Sequence, residues 1–201
     1  MFRGLQKISL IDFPGQIAAT VFTAGCNFRC PWCHNPDLVY PGFYDKIPPI
    51  EEEDVGTYLL SKKGKIQGVC VTGGEPTVWG ERLSAFLKWC IKNGFLTKLD
   101  TNGYLPDVLK SYLKEGVLSF VAMDIKNTFG KYGKTVGLDS VDIEKIKESI
   151  GLIRKSGIDH RFRTTMVHGL VDRGEMEALS REIGEEILFQ EYRTSVPAKN
   201  V

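Results

Sequence analysis

The chain has 201 residues, 42% of them hydrophobic, and its 26 Lys and Arg against 25 Asp and Glu leave a net charge of +1. That length suits one domain over 1–201 with mass enough to bury a core, and the balanced charge, with no basic arm, sets nucleic acid aside as an obligatory partner. No apolar run approaches the roughly 18 residues of a membrane span and Met1-Phe2-Arg3-Gly4 opens no signal peptide, so a cytoplasmic protein without a membrane partner is expected.

In chain order, residues 17–22 read as a first strand and 51–61 as a weak helix. Residues 66–71 form a short apolar run that ends at Gly73-Gly74, a second strand. Leu83, Phe86, Leu87, Cys90 and Ile91 then repeat at helical spacing, with Gly94 as a C-terminal stop. A strand is predicted at 95–99, and Pro106 opens a helix with Val108, Leu109, Tyr112 and Leu113 on one face. Another strand follows at 118–123, then an isoleucine stripe, Ile143, Ile146, Ile150 and Ile153, that ends at Gly157. Residues 160–167 and 187–192 read as the last strands, with a weak helix at 175–184 between them. The longest irregular stretches are 37–49 and 126–137; the second carries Gly130, Gly133 and Gly137 and reads as mobile.

Strands that alternate with helices imply an α/β fold with a mostly parallel sheet and right-handed crossovers. Each βα unit needs about 30 residues, so six fit, and the chain is short for a complete eight-unit barrel of about 250 residues. Ligands of such sheets bind beyond the carboxyl ends of the strands. The unusual chemistry of this sequence sits in those loops.

Five cysteines, an odd number, exclude a fully paired disulfide framework and fit a reducing compartment. Cys26, Cys30 and Cys33 lie on one loop, spaced C-x3-C-x2-C, dense enough to converge on a soft metal centre. Three readings compete. A Cys3His zinc site would use His34, although adjacent residues such as Cys33 and His34 seldom chelate one tetrahedral ion. A thioredoxin-like pair of Cys30 and Cys33 would leave Cys26 without a role. An iron–sulfur cluster held by three thiolates would leave one iron open for an exogenous ligand, a catalytic arrangement. Cys70, inside an apolar run, and Cys90, on a helix stripe, read as small core residues.

Cys26-x3-Cys30-x2-Cys33, with Trp32 between two of the cysteines, resembles the signature of the radical S-adenosylmethionine (SAM) superfamily. Asp12-Phe13-Pro14-Gly15, Gly73-Gly74-Glu75-Pro76 and Asp100-Thr101-Asn102-Gly103 narrow the resemblance to the glycyl-radical-enzyme activases. The opening Gly4-Leu5-Gln6-Lys7, followed by Ser9-Leu10-Ile11-Asp12, is similar to anaerobic ribonucleoside-triphosphate reductase activating proteins. The resemblance implies a partial (β/α)6 barrel. It also implies that Cys26, Cys30 and Cys33 hold a 4Fe-4S cluster whose open iron binds SAM. One electron then cleaves SAM to methionine and a 5′-deoxyadenosyl radical, which takes a hydrogen atom from a glycine of the partner enzyme. The implied partner is the large subunit of anaerobic ribonucleotide reductase, with pyruvate formate-lyase, another glycyl radical enzyme or a small molecule as alternatives, and flavodoxin or ferredoxin as electron donor.

Residue by residue, the resemblance lays Gly73 and Gly74 along the methionine part of SAM, with Glu75 accepting from its ammonium. Trp32 and His34 would border the cofactor, Trp32 on the adenine side, and Asp100, Thr101 and Asn102 would shape its pocket. Asp124 and Lys126 match the activases' D-x-K and would face the methionine and ribose, and Arg163 would lie near both SAM and the substrate peptide. Asp12 would contact the incoming glycine loop. Taken alone, Glu75 is equally an acid in the first turn of a helix, 100–103 an Asx turn, and Trp32 a core residue. A zinc or electron-transfer module is the non-enzymatic alternative. Several features depart from the family, among them His168, which stands where pyruvate formate-lyase activases have proline. The histidine of pyruvate formate-lyase activases near the last strand is replaced by Gln190-Glu191-Tyr192-Arg193, where Gln190 or Arg193 would substitute, and no cysteine-rich insertion separates Cys33 from Gly73.

Overall fold

The computed structural model describes residues 1–192. Its strands are β1 (Phe2–Ser9), β2 (Ala18–Thr23), β3 (Gly68–Gly73), β4 (Leu96–Thr101), β5 (Phe120–Asp124), β6 (Asp159–Met166) and β7 (Ile187–Glu191). Its helices are α1 (Pro41–Tyr44), α2 (Glu52–Ser61), α3 (Gly80–Lys92), α4 (Pro106–Lys114), α5 (Tyr132–Val136), α6 (Ile143–Ser156) and α7 (Arg173–Ile183). The strands form one sheet in sequence order, with β1 and β7 at its edges. Strands β2 to β7 pair in parallel, and these six units are the partial barrel expected from the chain.

The sequence pattern missed β1, which pairs antiparallel with β2 through partners such as Gly4↔Phe22 and Leu5↔Val21. Its segment, FRGLQKIS, is half-buried over Arg3–Leu5 and exposed over Gln6–Ile8, so no two-residue apolar alternation marks it. Pairing with β2, a long-range interaction, makes it a strand.

Alternation along the strands separates two faces. Val21, Val69, Val71, Leu99, Val121, Met123 and Phe162 join the main core beneath the helices, with Leu83, Leu87, Ile146 and Ile150. On the inner face Phe13, Ala18, Phe120 and Ala122 make a separate apolar floor. Phe13 reaches this floor from the β1–β2 loop and lies 6.0 Å from the Phe120 ring, so it stoppers the barrel at the amino ends of the strands.

Neither long loop is featureless. The 37–49 stretch contains most of a 3-10 turn (Pro36–Leu38) and α1, and 126–137 contains a second turn (Phe129–Lys131) and α5. The second loop, expected to be mobile, has Tyr132 and Val136 fully buried, and the Val136 carbonyl accepts from Arg29 N at 2.8 Å. Its three glycines suggested mobility, but its buried side chains, four residues apart on α5, fasten it beneath the cysteine loop. Among the described residues no helix is long and apolar enough to cross a membrane.

Candidate active site

The cysteine loop leaves the end of β2 and is clamped at once. Gly74 N donates to Thr23 O at 2.9 Å, Glu75 N to Gly25 O at 2.7 Å and Gly25 N to Leu38 O at 2.7 Å. A Cβ on Gly74 would lie inside the van der Waals shell of the Gly25 carbonyl, and Gly73 has φ +121°, a conformation that glycine alone adopts readily. The Gly73-Gly74 pair is therefore required for two backbones to approach each other just before Cys26.

Cys26, Cys30 and Cys33 are all free thiols and partly buried. With Trp32, Lys126 and the strand ends they line one open cavity of about 590 Å³. Backbone amides already point at the sulfurs, Phe28 N to Cys26 Sγ and Asn35 N to Cys33 Sγ, each at 3.4 Å. Burial pushes the Cys26 thiol up to about 12, aided by the charge of Glu75, and it raises Cys30 against the pull of Lys126. Such thiols stay neutral at pH 7 until a metal supplies the charge that ionises them. The donor set fits a polynuclear cluster, in which each thiolate takes a different iron. A lone zinc ion would instead need its ligands converging at about 2.0–2.3 Å on one point.

The side chains beside the cysteines are held from below. Trp32 is buried and donates Nε1–H to Thr135 O of α5 at 3.0 Å, while Lys126 Nζ sits 5.2 Å from its ring centroid. His34 stacks on Tyr192 at 5.0 Å. Across the strand ends the charges alternate. Arg163 Nε donates to Asp124 Oδ1 at 2.5 Å and Nη2 to Asp100 Oδ2 at 3.0 Å, and Lys126 Nζ donates to Asp124 Oδ2 at 2.9 Å. Burial alone would raise the Asp124 carboxyl, but Arg163 and Lys126 outweigh it and hold it well below the usual carboxylate range. Asp124 in turn holds the Lys126 ammonium above its ordinary value against the effect of burial.

Glu75 lines the same cavity. It is 1% exposed. Oε1 accepts from Thr77 N at 3.1 Å, Thr77 Oγ1 at 2.6 Å and Thr101 Oγ1 at 2.7 Å, and Oε2 accepts from Asn102 N at 2.6 Å. Its carboxylate thus joins the end of β3 to the end of β4. Asn102 continues the link, with Nδ2 donating to Asn27 Oδ1 of the cysteine loop at 2.7 Å.

Asp12, expected at the substrate peptide, does not line this cavity. It lies in the loop that carries Phe13, and Oδ2 accepts from Thr20 Oγ1 at 2.6 Å. Cys70 is buried as expected, but on the polar inner face, with Sγ 3.5 Å from Lys98 Nζ; Cys90 lies in the main core. The sequence reading also missed Thr72 and Thr165, which line the cavity, and Lys98. Alternation in Lys98-Leu99-Asp100 already places Lys98 on the face of Asp100. Gln190 does line the cavity, and Arg193 lies outside the described residues.

A family model described as the radical SAM superfamily matches residues 20–182. The chain belongs to the radical SAM superfamily. This radical SAM chain is 30% identical over 188 residues to a putative glycyl-radical enzyme activating enzyme of Methanocaldococcus jannaschii, covering 91% of this chain and 75% of that protein. It is 32% identical over 183 residues to a pyruvate formate-lyase-activating enzyme of Streptococcus mutans, covering 87% and 68%. Its fold matches a solved structure of anSMEcpe with bound AdoMet and a peptide at TM-score 0.65 and 16% identity; the match covers 89% of this chain and about half, 51%, of that one. The cofactors of this radical SAM enzyme are those of its family, a 4Fe-4S cluster and SAM.

Proposed function

We propose that the chain is a radical SAM activase that installs a glycyl radical on anaerobic ribonucleotide reductase. One observation carries the reading: three half-buried thiols and a row of paired strand-end charges line the same open cavity. In this reading Cys26, Cys30 and Cys33 hold the cluster, which supplies one electron to cleave SAM. Lys126, with one donor on Asp124, turns its others toward the SAM carboxylate, and Arg163, shared between Asp100 and Asp124, holds the neighbouring polar end. Trp32 is held by Thr135 and closes the adenine side. Asp100, Thr101, Asn102 and Asp124 shape the pocket, and Gly73 and Gly74 let the backbone close around it. Glu75 supports these loops from beneath.

Among the described residues the sheet edges at β1 and β7 are unjoined, and a lateral entrance of this kind suits a protein loop as substrate. Flavodoxin or ferredoxin would deliver the electron, in the cytoplasm. Pyruvate formate-lyase is the second target, favoured by the likeness to the Streptococcus mutans protein. Anaerobically reconstituted protein should carry one 4Fe-4S cluster and release 5′-deoxyadenosine from SAM with dithionite. Mixing it with each purified target should give a glycine-centred electron paramagnetic resonance doublet with the true one. Full SAM cleavage by a Cys30→Ala variant would overturn the reading.

A further inference from the structure

Lys98 belongs to none of the motifs above. Its side chain is 4% exposed, on the inner face of β4, two residues before Asp100. Nζ pairs with Asp100 Oδ1 and lies 3.5 Å from Cys70 Sγ. Lys98 itself does not reach the cavity, whereas Asp100, Arg163, Asp124 and Lys126 all line it. With Lys98 the row becomes Lys98–Asp100–Arg163–Asp124–Lys126, three cations on two carboxylates. Each carboxylate is shared between two cations, so no cation is fully neutralised by one acid. Two further acids stand near the row without pairing to its cations: Asp12 accepts from Thr20, and Glu75 accepts from Thr77, Thr101 and Asn102.

We propose that Lys98 is a positioning residue for the carboxylate end of SAM. By holding Oδ1 of Asp100 it keeps that carboxylate from closing fully on Arg163, so Arg163 keeps donors for a ligand in the cavity. Without Lys98 the row loses one of its three cations, and Asp100 is free to turn both oxygens toward the guanidinium. The inference rests on the reading of this cavity as the SAM site.

Lys98→Met keeps the length of the stem and removes the charge. Isothermal calorimetry on reconstituted protein would compare two probes, S-adenosylhomocysteine, which carries the aminocarboxylate, and 5′-methylthioadenosine, which lacks it. A buried charge lost behind the carboxylate should weaken S-adenosylhomocysteine about tenfold and change 5′-methylthioadenosine by less than about twofold. Equal weakening of both probes, or of neither, overturns the assignment. If Lys98→Met does not fold, Lys98→Gln, which keeps a hydrogen bond to Asp100, takes its place; failure of both to fold assigns the lysine to structure alone and also overturns it. Wild-type protein that binds neither probe would instead refute the reading of the site, a result separable from a selective loss in the variant.

Discussion

Glu75→Ala offers the sharpest separation of support from ligand binding. The substitution removes a buried carboxylate that accepts four hydrogen bonds and leaves Thr77 N, Thr77 Oγ1, Thr101 Oγ1 and Asn102 N facing a cavity. Hydrogen bonds to a charged group contribute about 1.5–3 kcal/mol each and are not additive. The variant also regains the desolvation cost of the buried charge, and breaking such a network by removing one partner typically costs about 3–5 kcal/mol. For a chain of this length that range lowers Tm by about 6–20 °C. Glu75→Gln keeps the shape but turns a donor toward donors and should lose about 1–2 kcal/mol. The assay is urea unfolding of apo-protein followed by circular dichroism, without cluster or SAM. A residue whose work was to accept the SAM ammonium would leave apo stability unchanged. A Glu75→Ala loss under about 1 kcal/mol would therefore refute the clamp between β3 and β4.

Further expectations concern the floor, the charge row and the thiols. Phe13→Ala empties the stopper against Phe120 and should cost about 3–4 kcal/mol in the same urea assay. Asp124→Asn should destabilise by about 2 kcal/mol between pH 6 and 8. Because pairing depresses the Asp124 carboxyl, its contribution is complete above the ordinary carboxylate value of about 3.9 and fades as pH falls toward the depressed value, so the wild-type advantage should shrink only in acid. In apo-protein Cys26, pushed up to about 12, should be alkylated by iodoacetamide far more slowly at pH 8.5 than a free thiol, and mass spectrometry of the modified peptide would read this. Rapid alkylation at pH 8.5 would remove the case for metal-driven ionisation.

The parallel strands were legible because strands covered on both faces read as apolar runs between amphipathic helices. The edge strand β1 was not, since Gln6, Lys7 and Ile8 face solvent without alternation and only its partner β2 defines it. The cysteine loop, the strand-end acids and Arg163 could be named from spacing and resemblance. Their mutual arrangement could not. Nothing in Gly73-Gly74-Glu75-Pro76 says that the glycines admit the Gly25 backbone, or that the glutamate is buried against the next strand. The place of Asp12 was not legible for a related reason. Its motif is local, whereas its bond to Thr20 depends on how the β1–β2 loop folds as Phe13 reaches the apolar floor.

Depth within the barrel orders these features. The floor of Phe13, Ala18, Phe120 and Ala122 excludes water from the amino ends of the strands. Above it the register sets Thr20, Cys70 and Lys98 on neighbouring strands in one row. A lysine in that row must find an anion, and two residues further along β4 stands Asp100. Asp100 then draws Arg163 from β6, and Arg163 draws Asp124 from β5. Each pair lies on the same face because side-chain direction repeats every two residues. A one-residue slip of β4 would turn Lys98 and Asp100 toward the helices and strand Arg163 without one of its two carboxylates. The register that buries the apolar floor is thus the register that assembles the charged rim, and stability and cofactor binding should fail together wherever that register is broken.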